Sequence, residues 1–139
     1  MRTGSRIPAH VRRQVANGAK SRCEYCLSPE EYSIDSFTID HVDPGGGDDP
    51  ANLAFACHNC NNRKQDDRYA PDPLTGEPVP LYDPRRSTWS DHFAWSPDGL
   101  AILALTPTGR ATVARLRLNR PGAVNIRRAL LLLGEHPGR

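Results

Sequence analysis

All four cysteines of this 139-residue chain fall in two Cys-x-x-Cys pairs, Cys23/Cys26 and Cys57/Cys60. That spacing lets two thiolates from one tight turn reach a shared tetrahedral Zn²⁺ at about 2.3 Å, and a second such turn completes a four-sulfur site with no open position. A closed site of this kind is structural and contributes directly to folding. The rival use is a redox dithiol. Two complete pairs with no other cysteine favour zinc. His58, inside the second pair, is a lesser candidate for substitute ligand.

Composition explains why such a chain gains from a staple. Hydrophobic residues make up 37% of it, mean hydropathy is -0.61, and 11 Gly and 13 Pro imply many turns and little long regular structure. The length fits one domain over residues 1–139 with one core. No apolar run approaches the roughly 20 residues that span a bilayer, and no apolar signal core follows the Arg-bearing N-terminus. The chain is therefore expected in the cytoplasm, off the membrane, where disulfides are rare.

The net charge of +2 hides a sorted pattern. Met1 to Arg22 carries Arg2, Arg6, Arg12, Arg13, Lys20 and Arg22 with no acid, and Arg110 to Arg128 carries six arginines with none. Fifteen of the sixteen carboxylates lie between Glu24 and Asp98. If the basic blocks meet, they would hold phosphates on either side of an acidic, metal-collecting centre; the competing expectation is a set of solvated helix faces.

Along the chain, Pro8, Val11 and Val15 predict a short helix ending near Asn17-Gly18. Phe37–Asp40 and Leu53–Ala56 read as a hairpin around a glycine-rich tip, and Asn59 to about Tyr69 as a helix. Ala70–Arg86 is Pro-rich and reads as irregular. Phe93–Trp95 and Leu100–Leu105 predict a second hairpin. Thr106-Pro107 caps a helix to about Leu116, though the alternation of Ala114, Leu116 and Leu118 with arginines also suits a strand. Asn119 is expected to cap a last helix, Pro121–Leu133, stopped by Gly134 and packed through its leucine-rich end.

Arg22-Cys23-Glu24-Tyr25-Cys26, Ile39-Asp40-His41-Val42-Asp43-Pro44, Gly45-Gly46, Asn52-Leu53-Ala54 and Cys57-x-x-Cys60-Asn61-x-x-Lys64 follow one another in that order. In this the sequence resembles the HNH endonuclease family with its ββα-metal motif. Trp89–Trp95, Gly109–Val113 and Leu118–Arg120 also look like the tail of a bacterial subgroup of that family. The resemblance implies an α+β fold: a zinc-stapled ββα core over about 20–69, an N-terminal helix, and a C-terminal extension over about 82–134 with a second hairpin and a helix.

It also implies metal-dependent hydrolysis of nucleic-acid phosphodiesters, with DNA as the expected substrate. A histidine titrating near working pH can take a proton from the attacking water, which makes His41 the general base. By resemblance, Asp40 and Asn61 hold a Mg²⁺ or Mn²⁺ that stabilises the leaving oxygen, and Asn52 positions the loop beside the base. Lys64, Arg110, Arg115 and Arg117 are the expected phosphate contacts. The chain departs from the family at two points. Asn61 stands where many members carry a third histidine, and its neutral amide oxygen is a weaker ligand than imidazole for transition metals, though acceptable for Mg²⁺ or Mn²⁺, so metal preference stays open. The stretch from His41 to Asn52 is also shorter, with Gly45, Gly46 and Gly47 allowing tight closure. Two other readings stay open: a nucleic-acid-binding zinc module without catalysis, and a zinc-stabilised partner-binding domain.

Overall fold

Pro8 fixes φ at -58° and leads into α1 (Ala9–Gly18), which turns Val15 into the core. The computed structural model describes residues 7–137, so Arg2 and Arg6 of the first basic block lie outside the described residues. Lys20 and Ser21, both at φ 55°, turn the chain from α1 into the first cysteine pair.

The hairpin follows as expected: β1 (Thr38–His41) pairs antiparallel with β2 (Leu53–Ala56), setting Asp40 opposite Ala54 and His41 opposite Leu53. All four residues of β2 are buried, consistent with its unbroken apolar run. The first cysteine turn is tied to β2 through Glu24, whose N–H donates to Phe55 O and whose carboxylate accepts from Phe55 N–H, both at 2.8 Å. Thus one strand organises both the cysteines and His41.

Helix α2 (His58–Lys64) is shorter than predicted. Gln65 ends it at φ 54°, and Tyr69–Pro71 (β3) pairs with Pro78–Pro80 (β4), so the stretch expected to be irregular contains a hairpin. The cause is a side-chain turn joined to a tertiary contact. Asp72 accepts from Leu74 N–H, Gly76 takes φ +77°, and Arg110 grips the Asp72 carboxylate from another helix. Proline content alone conceals such a turn.

The short α3 (Trp89–His92) precedes β5 (Phe93–Trp95), which pairs with β6 (Ile102–Ala104) as expected. Asp98 closes that turn by accepting from Leu100 N–H at 3.0 Å. The stretch after Thr106 is helical: α4 (Pro107–Leu116) is capped by Thr106 Oγ1, which accepts from Gly109 N–H at 2.9 Å. A Cβ on Gly109 would lie 2.4 Å from His92 O, so α4 can seat here only through glycine.

Two expectations for α5 (Pro121–Leu132) are corrected. Arg120, not Asn119, is its N-cap; the Asn119 amide instead bonds Ile102 N–H at 2.7 Å and Ile102 O at 2.9 Å, extending the edge of β6. Of the leucine-rich end, Leu130 packs inward while Leu131, Leu132 and Leu133 are exposed. The buried stripe is Ala123, Arg127 and Leu130, at helical spacing, and Leu132 is 87% exposed. The main core surrounds the cysteine turns, with Tyr25, Phe55, Tyr82, Phe93, Leu116 and Leu118 among its members. No helix among the described residues is long and apolar enough to cross a membrane.

Candidate metal centre and active site

The cysteine sulfurs are brought together from two elements. Cys23 and Cys26 flank a tight turn in which Cys26 N–H points at Cys23 Sγ (3.5 Å), and Cys57 caps α2, its Sγ accepting from Cys60 N–H at 3.4 Å. All four sulfurs lie within 4.8 Å of one another and are buried, with Cys26 Sγ and Cys57 Sγ 3.8 Å apart. A tetrahedron with metal–sulfur bonds of about 2.3 Å has sulfur–sulfur edges of about 3.8 Å, so the cluster fits a zinc ion.

Its electrostatics call for a cation. Burial pushes the Cys23 thiol up, and contact with the other sulfurs raises Cys60 while lowering Cys26 and Cys57. Four thiolates at contact distance repel one another, and a divalent ion removes that conflict. The Arg120 guanidinium, 3.9 Å from Cys57 Sγ, adds positive charge beside it. His58 is exposed and takes no part in the cluster.

The second cluster sits on the same hairpin and helix. Asp40 is fully buried, accepts a 2.7 Å hydrogen bond from Tyr25 Oη, and faces Lys64 Nζ at 3.3 Å. Burial and the Asp40 charge push the Tyr25 phenol well above its ordinary value, so it stays a proton donor to that carboxylate. Lys64 is 1% exposed, and its ammonium also approaches Val42 O. It is a buried partner of Asp40 rather than the surface phosphate contact expected from sequence. Asn61 is buried on the same helix, and its Oδ1 has no hydrogen-bond partner among the described residues. An orphaned amide oxygen is a hard donor of the kind Mg²⁺ or Mn²⁺ accepts, while the Asp40 carboxylate is already faced by Lys64.

His41 ends β1 with its ring almost wholly buried and Nε2 2.7 Å from Asp48 Oδ1, on a side chain that is about half exposed. Asn52 holds the intervening loop from within: its Oδ1 accepts from Asp43 N–H at 2.9 Å, and its Nδ2 donates to Asp43 O at 2.8 Å and Gly47 O at 2.9 Å. Gly46 packs directly on this amide, where a Cβ would lie 2.8 Å from Asn52 Nδ2. The short glycine loop is therefore closed around Asn52.

The arginines mostly carry partners within the chain, some buried and some at the surface. Arg110 makes a two-pronged contact with Asp72, at 2.9 and 2.7 Å, and holds that carboxyl down to about 2. Arg115 pairs with Asp67. Arg127 is buried, donating to Leu118 O at 2.6 Å and stacking over Trp95 at 5.2 Å. Arg12 and Arg22 donate to the carbonyls of Phe37 and Leu27. Of the expected phosphate contacts, Arg117 alone remains well exposed.

Sequence reasoning missed Tyr25 and Asp48 as partners of the two central residues. Tyr25 was legible only as a residue between cysteines, and nothing in the sequence separates Asp48 from the neighbouring Asp49, which caps the turn Pro50–Asn52.

This arrangement defines a class: a ββα unit stapled by a four-cysteine metal cluster, with an Asp-His pair closing its first strand. Residues 23–67 match the HNH endonuclease family model. No curated protein and no solved structure matches the chain.

Proposed function

We propose that this protein is a metal-dependent nuclease that hydrolyses nucleic-acid phosphodiesters, DNA being the first substrate to test. The observation that carries the reading is His41, fixed at the end of β1 within the HNH segment, with Nε2 bonded to the half-exposed Asp48 carboxylate, which water can replace. In that role water displaces Asp48, the imidazole proton passes to Nδ1, and the freed Nε2 takes the proton of the attacking water. Asn52 keeps the loop from drifting, which matters because misplacing a base by about 1 Å can cost roughly 100-fold in rate.

A bound Mg²⁺ or Mn²⁺ supplies Lewis-acid stabilisation of charge on the leaving oxygen. Asp40 and Asn61 are the residues that would hold it, and Tyr25 orients the Asp40 carboxylate. Zinc in the cysteine cluster holds α2 against the hairpin and has no open position for substrate.

The test is cleavage of plasmid and single-stranded DNA by zinc-loaded protein with Mg²⁺, Mn²⁺ or neither, comparing wild type with His41→Ala at equal fold and zinc content. Metal-dependent cleavage lost in the variant is expected. A second reading, a nucleic-acid-binding module without catalysis, is favoured by one observation: Lys64 already supplies Asp40 with a cation. Salt-sensitive DNA binding without cleavage under any metal would select it.

A further inference from the structure

A cleft of about 310 Å³ opens where β1 ends, with Val42, the residue after His41, and Lys64 on one wall and Arg68, Tyr69, Arg86 and His92 around it. Its volume falls at the lower end of sites that take small ligands or single groups. Tyr69 is 56% exposed although it begins strand β3, and the Arg68 guanidinium lies over its ring, 6.0 Å from the centroid. An exposed aromatic face, two arginines and a wall formed by Val42 and Lys64, with Asp83 beside Arg86, form a site for something flat, apolar on its faces and anionic at its edge.

We propose that this cleft takes an unpaired nucleotide adjacent to the scissile phosphate, its base stacked on Tyr69 and its phosphate held by Arg68 and Arg86. The proposal rests on the nucleic-acid reading above and adds to it a substrate class: single-stranded or locally opened nucleic acid rather than continuous duplex.

The charge arithmetic allows it. Arg68 and Arg86 meet only partly exposed carboxylates, Asp43 at 3.9 Å and Asp83 at 3.7 Å. Such surface pairs are weak and readily exchanged for phosphate. The buried, two-pronged Arg110–Asp72 pair is not of that kind. Position agrees as well, because Lys64, which faces the Asp40 carboxylate at 3.3 Å, also lines the cleft. A duplexed base cannot enter without leaving its stack, whereas a single strand presents it freely.

The experiment uses the zinc-loaded full chain without added Mg²⁺ or Mn²⁺, and a single-stranded oligonucleotide carrying 2-aminopurine, beside a continuous duplex of the same sequence. Wild type and Tyr69→Phe should quench the fluorescent base and bind the single strand alike. Tyr69→Ala should lose the quenching and bind roughly 5- to 100-fold more weakly, the range for one lost stack. Duplex affinity should barely change. Equal single-strand binding by wild type and Tyr69→Ala, or equal losses on both substrates, overturns the cleft. Intact stacking with no cleavage by wild type in the metal series instead sinks the nuclease reading and leaves the cleft standing, so the two failures are separable.

Discussion

Two buried polar clusters share the β1–β2–α2 frame and are satisfied in opposite ways. The sulfur cluster holds four mutually repelling ligands and has no cation among its own members. The Asp40 cluster carries its own, because Lys64 reaches the carboxylate from α2 and Tyr25 donates to it from the first cysteine turn. The first therefore calls for an ion, while the second has a cation of its own. A metal that fits the sulfurs and a metal proposed for catalysis thus face different competitors at neighbouring places on one frame.

The largest expected effect comes from the sulfur cluster. Structural zinc in small domains binds with an apparent free energy of about 10–16 kcal/mol, so chelation or Cys60→Ser should abolish cooperative unfolding and most helical signal by circular dichroism. A zinc-free chain that kept its full melting transition would erase the contrast. Next is Asp40→Asn, which leaves the Lys64 ammonium buried beside a neutral amide and should cost about 3–5 kcal/mol in denaturant unfolding. Lys64→Met should tighten Mn²⁺ binding, measured by calorimetry on zinc-loaded protein, by removing the competing charge. Unchanged Mn²⁺ affinity would mean that Asp40 is not a metal ligand.

Gly46→Ala is subtler, since its methyl would press on the Asn52 amide at 2.8 Å. The melting temperature should fall by a few degrees, while metal-dependent cleavage drops by about 10-fold or more through displacement of the loop beside His41. Equal activity would show that the loop does not position the base.

The smallest effect lies away from both clusters, where Arg110 and Asp72 tie α4 to the β3–β4 hairpin. The Asp72 carboxyl is lowered to about 2 from 3.8, first by the Arg110 hydrogen bonds. A depressed carboxyl contributes stability that is fully present above its unfolded value and is lost as pH falls through its folded one. Melting curves of wild type and Arg110→Met should thus differ at pH 6 and converge between about pH 4 and 2. A difference that persisted unchanged at pH 2 would mean that charge is not what joins these elements.

Local patterns made the scaffold legible. The Cys-x-x-Cys spacing announces the zinc turns, the Phe37–Asp40 and Leu53–Ala56 runs announce the hairpin, and Thr106-Pro107 announces α4, because each depends on neighbours a few residues apart. The Asp-His pair and Asn52 were legible only together with those turns. The partners were not: Tyr25 for Asp40, Lys64 turned inward, and Asp48 for His41 are contacts between residues that sequence alone does not pair.

The same division explains the misplaced arginines and leucines. A basic block looks like a phosphate-binding surface until Asp67 and Asp72 arrive beside Arg115 and Arg110, and a run of leucines looks buried until the angle of α5 assigns its inward face to Ala123, Arg127 and Leu130. The sequence by itself determined the cysteine turns, the strand that carries the Asp-His pair, the start of the helix after the second turn, and the glycine loop, since these follow from ligand spacing, periodicity and backbone freedom. Only the tertiary structure decided which charges neutralise one another and which faces meet solvent, because pairing and burial depend on how elements distant in sequence pack together.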